Sequence, residues 1–112
     1  MGLKLFWKDI EKNNFLLGFL DFKDSKYYFE INEEGLKDAI KHGCFGIGEF
    51  NLLEKVYTSE ILFPFFKRRI PHRENVAIDD ILKEYNIEKY DEMELLRKTK
   101  GELDTDRYYL EE

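Results

Sequence analysis

Large apolar and aromatic residues crowd Leu3–Trp7 and Phe15–Phe22, and they resume at Tyr27–Ile31 after the polar stretch Lys23-Asp24-Ser25-Lys26. Short apolar runs bounded by polar residues predict strands, and the tight polar break between the last two predicts a hairpin. In Phe15–Phe22 both alternating sets, Phe15/Leu17/Phe19 and Leu16/Gly18/Leu20, are apolar or glycine. Such a strand has both faces covered or bends at Gly18, and it belongs at the centre of a sheet. The period then changes. Leu36, Ala39 and Ile40 recur at i, i+3, i+4 within Glu33–Lys41, which predicts a short helix with Gly43 as its left-handed stop. Three glycines in the six residues 43–48 predict an irregular loop anchored by buried Phe45 and Ile47.

Residues 58–71 pack Ile61, Leu62, Phe63, Phe65 and Phe66 around Pro64, switch to Lys67-Arg68-Arg69, and close at Pro71. Proline is best tolerated in a first helical turn, so either a helix opens near Ser59 and kinks, or it starts at Pro64. Beyond Pro71, Ile78, Ile81, Leu82 and Tyr85 share one helical face, with Asn75 placed to cap its start and Asn86 its end. Asp91 precedes Glu94 by three residues, a capping-box spacing that opens a last helix through Met93, Leu95 and Leu96, stopped by Gly101. Tyr108–Leu110 then adds an edge strand. With no internal repeat and no linker-like stretch, the pattern predicts one α+β domain over residues 1–112. A small antiparallel sheet from the N-terminal half is packed with short helices, mostly from the C-terminal half.

Length and composition narrow the class. A chain of 112 residues with 43% apolar and 16% aromatic residues can bury a core without disulfides or metal, so disorder is excluded despite 38% charged residues. The net charge of −6 argues against a protein whose whole surface grips nucleic acid or anionic lipid. The acidity is uneven. Residues 1–73 carry 12 cations and 11 anions, whereas residues 74–112 carry 6 and 13. No run reaches the 18 or so apolar residues of a membrane span, and the start MGLKLFWKDIEK meets acids too early for a signal peptide. With a single cysteine, Cys44, the expectation is a cytoplasmic protein without membrane contact.

The chemistry-bearing signatures are few. There is no P-loop, no dinucleotide-binding glycine motif, no HExxH and no CxxC, so no cofactor and no metal are expected. His42 and Cys44 lie two apart but lack further ligands or an orienting group, and a lone cysteine ordinarily packs as a small hydrophobe. The acid pairs Asp79-Asp80 and Asp91-Glu92 fall where acids favour a helix N-terminus. The expectation is therefore a chain without catalytic residues. One feature stands against the overall charge, the cluster Lys67, Arg68, Arg69, His72, Arg73. It reads as a solvated helix end, a phosphate-contacting patch, or an interface in which arginines flank aromatics.

The order of these motifs resembles the N-terminal subdomain of HipA-type kinases. The likeness rests on the opening strand with Trp7, Gly18-Phe19-Leu20, Tyr28-Phe29-Glu30, Leu62-Phe63-Pro64-Phe65-Phe66 closing in Arg69-Ile70-Pro71, then Asp91–Leu96 and Gly101. It covers nearly the whole chain. In tripartite toxin–antitoxin systems a similar piece, HipS, occurs as a separate small protein that neutralises the kinase. The same Phe-Pro-Phe-Phe to Arg-Ile-Pro stretch, with Arg73, Leu95-Leu96, Thr99, Gly101 and Thr105-Asp106, is similar to the segment that precedes HIRAN domains in some bacterial proteins. This chain stops where such a domain would begin. Ile70-Pro71-His72-Arg73 stands where the HipA family has a Leu-Pro-Glu-Gly turn, and the ATP- and magnesium-binding loops are absent. The resemblance implies a non-enzymatic interaction domain, an antitoxin or regulator docking on a HipA-type serine/threonine kinase. The partner-binding residues would be Phe63, Phe65, Phe66, Lys67, Arg68, Arg69 and Arg73. The alternative is a nucleic-acid-associated accessory module working through the basic segment.

Overall fold

The structure, a computed structural model, describes residues 2–50 and 54–112. Five strands and four short helices follow in the order β1 (Leu3–Lys8), β2 (Asn14–Lys23), β3 (Lys26–Ile31), α1 (Glu33–Lys41), β4 (Val56–Ser59), α2 (Pro64–Lys67), α3 (Ile78–Glu84), α4 (Glu92–Thr99) and β5 (Tyr108–Glu111). The strands form one antiparallel sheet in the order β4-β3-β2-β1-β5, so the fold is α+β with β2 at its centre.

Local chemistry explains most of these elements. Asp24 and Ser25 both take positive φ (53° and 62°), the conformation of a two-residue hairpin turn whose twist matches that of its strands. The β1–β2 ladder is irregular next to Gly18. The β1–β2 register shifts between Leu5, opposite Gly18, and Phe6, opposite Leu16, leaving Leu17 as the extra residue of a bulge. A Cβ on Gly18 would stand 2.5 Å from the Glu30 carbonyl oxygen and 2.6 Å from the Phe29 ring, so only glycine lets β3 approach. Pro64 is the first residue of α2, not a kink within a helix begun at Ser59. Instead, Val56–Ser59 pairs with β3 as a fourth strand. The Asn75 side chain accepts from the Ala77 N–H just ahead of α3, and Asn86 closes that helix in the left-handed region. The Asp91 carboxylate accepts from the Glu94 N–H at 3.1 Å, as the capping spacing requires. Lys100 and Gly101 then end α4 with φ of 62° and 57°.

The sheet has two unlike faces. Leu3, Leu5, Trp7, Leu20, Tyr27, Phe29, Ile31 and Leu110 are buried on one face, beneath Leu36 and Ala39 of α1, Phe65 and Phe66 of α2, Leu82 of α3, and Leu95 and Leu96 of α4. Phe29 and Phe66, both fully buried, meet edge to face at 5.3 Å near the centre of this core. Tyr27 ties the layers together by donating to Glu92 Oε1 at 2.8 Å. The opposite face carries Lys4, Phe6, Lys8, Leu16, Phe19, Tyr28 and Tyr109, and none of them is buried.

Two expectations are corrected. Phe45 is not an anchor of the 43–48 loop but fully exposed, and Cys44 and Ile47 are the buried residues there. Phe63, Phe65 and Phe66, expected at a partner surface, are 7%, 4% and 0% exposed and belong to the core. Five clustered apolar residues cannot all reach solvent without forfeiting roughly 1.5–3 kcal/mol each of burial, and of the group Ile61 alone turns outward. Among the described residues, no helix is long and apolar enough to cross a membrane.

Candidate docking site

The basic run is split by the geometry of the helix end on which it lies. Successive residues of a helical turn point about 100° apart, so Lys67 and Arg68 face solvent while Arg69 turns inward with Phe65 and Phe66. Arg73, beyond Pro71, is exposed and lies over the Tyr90 ring at 4.7 Å. Of the seven residues expected to bind a partner, Phe63, Phe65, Phe66 and Arg69 are therefore buried. Lys67, Arg68 and Arg73 remain accessible, whereas Arg69, like the three phenylalanines, is corrected to an internal role.

That role is visible in its contacts. The Arg69 guanidinium donates to the Gly101 carbonyl at 2.9 Å and forks onto Asp106, Nη1 to Oδ1 at 3.2 Å and Nη2 to Oδ2 at 2.5 Å. It also lies 4.5 Å from the Phe65 ring centroid and 5.1 Å from that of Tyr108. Arg69 thus ties α2 to the end of α4 and to the start of β5, and its planar fork suits a bidentate carboxylate between rings. Its Nε is buried without a partner. Asp106, Tyr108 and Gly101 are the participants that sequence reasoning missed. The one local signal was the i, i+4 spacing of Phe65 and Arg69, which puts both on one side of a helical turn.

Above this pillar sits the 43–48 loop. The Tyr108 hydroxyl donates to the Gly46 carbonyl and lies 3.6 Å from Cys44 Sγ, while the Gly46 N–H points at the same sulfur at 3.4 Å. Burial, then its hydrogen bond and charge interaction with Cys44, push the Tyr108 hydroxyl well above its ordinary value. It stays protonated and donating at neutral pH. On the neighbouring turn, Glu49 accepts from the Phe65 N–H at 3.0 Å, satisfying an orphan donor of α2. The loop is therefore braced from below while Phe45 stands free at its tip. Phe45, Gly46 and Gly48 line a cavity of about 340 Å³ with Phe65, Arg68, Arg69, Leu103, Asp106 and Tyr108. Among the described residues Arg68 makes no ion pair, so a fully exposed aromatic and an unengaged guanidinium share the rim.

The site's nucleophile candidate is poorly placed for chemistry. Cys44 is buried, and His42 is turned elsewhere, with Nδ1 2.8 Å from the Asp38 carbonyl and its ring 4.8 Å from that of Phe15. Among the described residues no three His, Cys, Asp or Glu converge as a metal site. No family model, curated protein or solved structure matches this chain.

Proposed function

We propose that the chain is a non-catalytic docking module that acts in the cytoplasm. In this reading it binds a HipA-type serine/threonine kinase as an antitoxin or regulator. The choice of kinase rests on the resemblance of the strand order and of the Phe-Pro-Phe-Phe to Arg-Ile-Pro stretch to the HipA N-terminal subdomain. The observation that carries a docking role is Phe45. A large aromatic side chain held wholly in solvent costs stability and solubility for no internal return, yet here a hydrogen-bonded loop and a buried ion pair hold it in place beside a free arginine. Exposed aromatics next to arginine are the composition of interface hot spots. Phe45 and Arg68, flanked by Lys67, thus replace the buried phenylalanines as anchors, and the acidic C-terminal half would steer the module to a basic partner surface.

The test is titration calorimetry of the protein against a HipA-type kinase of the same genome, with Phe45→Ala and Arg68→Glu variants. Each variant should weaken binding by about tenfold or more, the scale of a hot-spot truncation, with an unchanged melting temperature. Absence of binding by the wild type, or equal binding by both variants, refutes the proposal. The alternative, a nucleic-acid accessory module working through the basic segment, would rest on Lys67, Arg68 and Arg73, since Arg69 is buried.

A further inference from the structure

The open face of the sheet differs from an ordinary solvated face in its side chains. On β1 and β5, Phe6 and Tyr109 are cross-strand partners whose rings stack at 5.3 Å with an interplanar angle of 15°. Phe19 of β2, opposite Lys4, and Tyr28 of β3, opposite Asp21, lie on the same face along a diagonal, each step offset by two residues, so the aromatic positions from Tyr109 to Tyr28 span about 20 Å. Lysines accompany the rings. Lys8 Nζ lies 5.4 Å from the Tyr109 centroid, and Lys23 Nζ lies 5.2 Å from that of Tyr28.

At the β1–β5 end the face runs into a cavity of about 300 Å³ whose lining includes Lys8, Lys12, Arg107 and Tyr109. Among the described residues these three cations, and Lys4 beside them on β1, make no ion pair. Most nearby acids are engaged. Asp9 accepts from the N–H groups of Glu11 and Asn13 and from the Asn13 amide. Asp106 is held by Arg69, Glu111 by Lys100 and Glu30 by Lys55. Among the described residues Glu102 is the cavity acid without such a partner. Four cations without an ion-pair partner among the described residues thus stand near the stacked aromatic pair, against two cavity acids, Asp9 and Glu102, that no cation pairs.

We propose that this face binds single-stranded nucleic acid, with bases stacking on Tyr109 and Phe6 and continuing toward Phe19. The backbone phosphates would lie against Lys4, Lys8, Lys12 and Arg107. Charge complementarity decides the occupant. A second copy laid face to face would set these cations against the same cations, and an apolar protein surface would leave the lysines unpaired, whereas a single strand offers π-faces and phosphates together. No base edge is read, so the binding is indifferent to sequence. The surface is separate from Phe45 and Arg68 and stands independently of the kinase-docking reading.

The experiment is fluorescence anisotropy of fluorescein-labelled oligo(dT) and oligo(U) of about 12 nucleotides, titrated with the whole protein over a range of salt. Four phosphate contacts give a slope of log affinity against log salt of about −2 to −3. Tyr109→Ala should weaken binding by about 5- to 150-fold, the loss of one stacked base, while Tyr109→Phe keeps the ring and stays within about threefold. Lys8→Glu with Lys12→Glu, both at exposed positions where folding is not at stake, should weaken binding and flatten the salt slope by about one. Arg68→Glu should leave binding unchanged. No anisotropy change at low salt overturns the proposal, as does binding that survives both the tyrosine and the lysine replacements. Sedimentation that shows a dimer closed over the face, dissociated by Tyr109→Ala, overturns it too.

Discussion

Replacing Arg69 by methionine tests the pillar beneath the Phe45 loop. The substitution keeps the length and apolar contact of the side chain but removes the fork to Asp106 and the donor to the Gly101 carbonyl. The Arg69 side chain is 3% exposed and that of Asp106 27%. Breaking a fully buried ion pair costs about 3–5 kcal/mol because the surviving charge is stranded. The partial hydration of Asp106 puts this case at the low end, about 3 kcal/mol. That is a large share of the roughly 5–15 kcal/mol available to a domain of this size. With a urea slope of about 1.5 kcal/mol/M, the unfolding midpoint should fall by about 2 M. Asp106→Asn keeps one acceptor but turns the other into an amide donor facing Nη2 and strands the buried Arg69 cation, so it should cost about 3 kcal/mol or more. The double variant should cost less than the two singles added, with a coupling of about 1 kcal/mol or more. Arg69→Lys should not rescue, because an ammonium cannot fork between the Asp106 oxygens and Gly101. A loss below about 1 kcal/mol for Arg69→Met, or strict additivity with Asp106→Asn, would refute the role assigned to the pair.

Gly35→Ala, which ordinarily stabilises a helix by about 0.5–1 kcal/mol, should here destabilise by about 2 kcal/mol or more in urea melts. The added methyl would stand 1.8 Å from the Leu16 carbonyl oxygen, an overpacking clash of α1 on β2. Phe66→Ala should cost about 3–5 kcal/mol, whereas Phe45→Ala should change stability by less than about 0.5 kcal/mol, and calorimetry of the two separates core from surface in one comparison. At the acid limb, burial acts to raise the Asp9 carboxyl, but N–H donors from Asn13 and Glu11 outweigh it and hold it below its ordinary value. Its contribution is therefore present above the unfolded pKa and lost as pH falls through the lower folded one, so Asp9→Asn should flatten the acid limb of stability against pH. At the basic limb, Tyr27 and Tyr108 are raised, chiefly by burial, so they stay protonated in the fold while unfolded tyrosines ionise near pH 10. Stability should fall as pH rises above about 10, and an ultraviolet tyrosinate titration should show a late class of tyrosines that merges with the rest in denaturant.

Local rules determined much of this protein directly from its residues. The apolar runs, the polar pair Asp24-Ser25, the spacing of Leu36, Ala39 and Ile40, and the Asp91–Glu94 cap each act within a few residues, so strands, hairpin and helices could be placed from them. Val56–Ser59 escaped because an edge strand of four residues is specified mainly by its partner, here β3. The site was less legible for the same reason. Whether Phe45 or Phe65 reaches solvent depends on what packs above each, and a run of cations says nothing about which of them meets an acid 37 residues away. Burial and charge pairing are long-range properties, set where distant segments converge. The sequence therefore determined the elements and the pool of aromatics and cations, while the tertiary structure alone decided that Arg69 is internal, Phe45 external, and one face of the sheet left open.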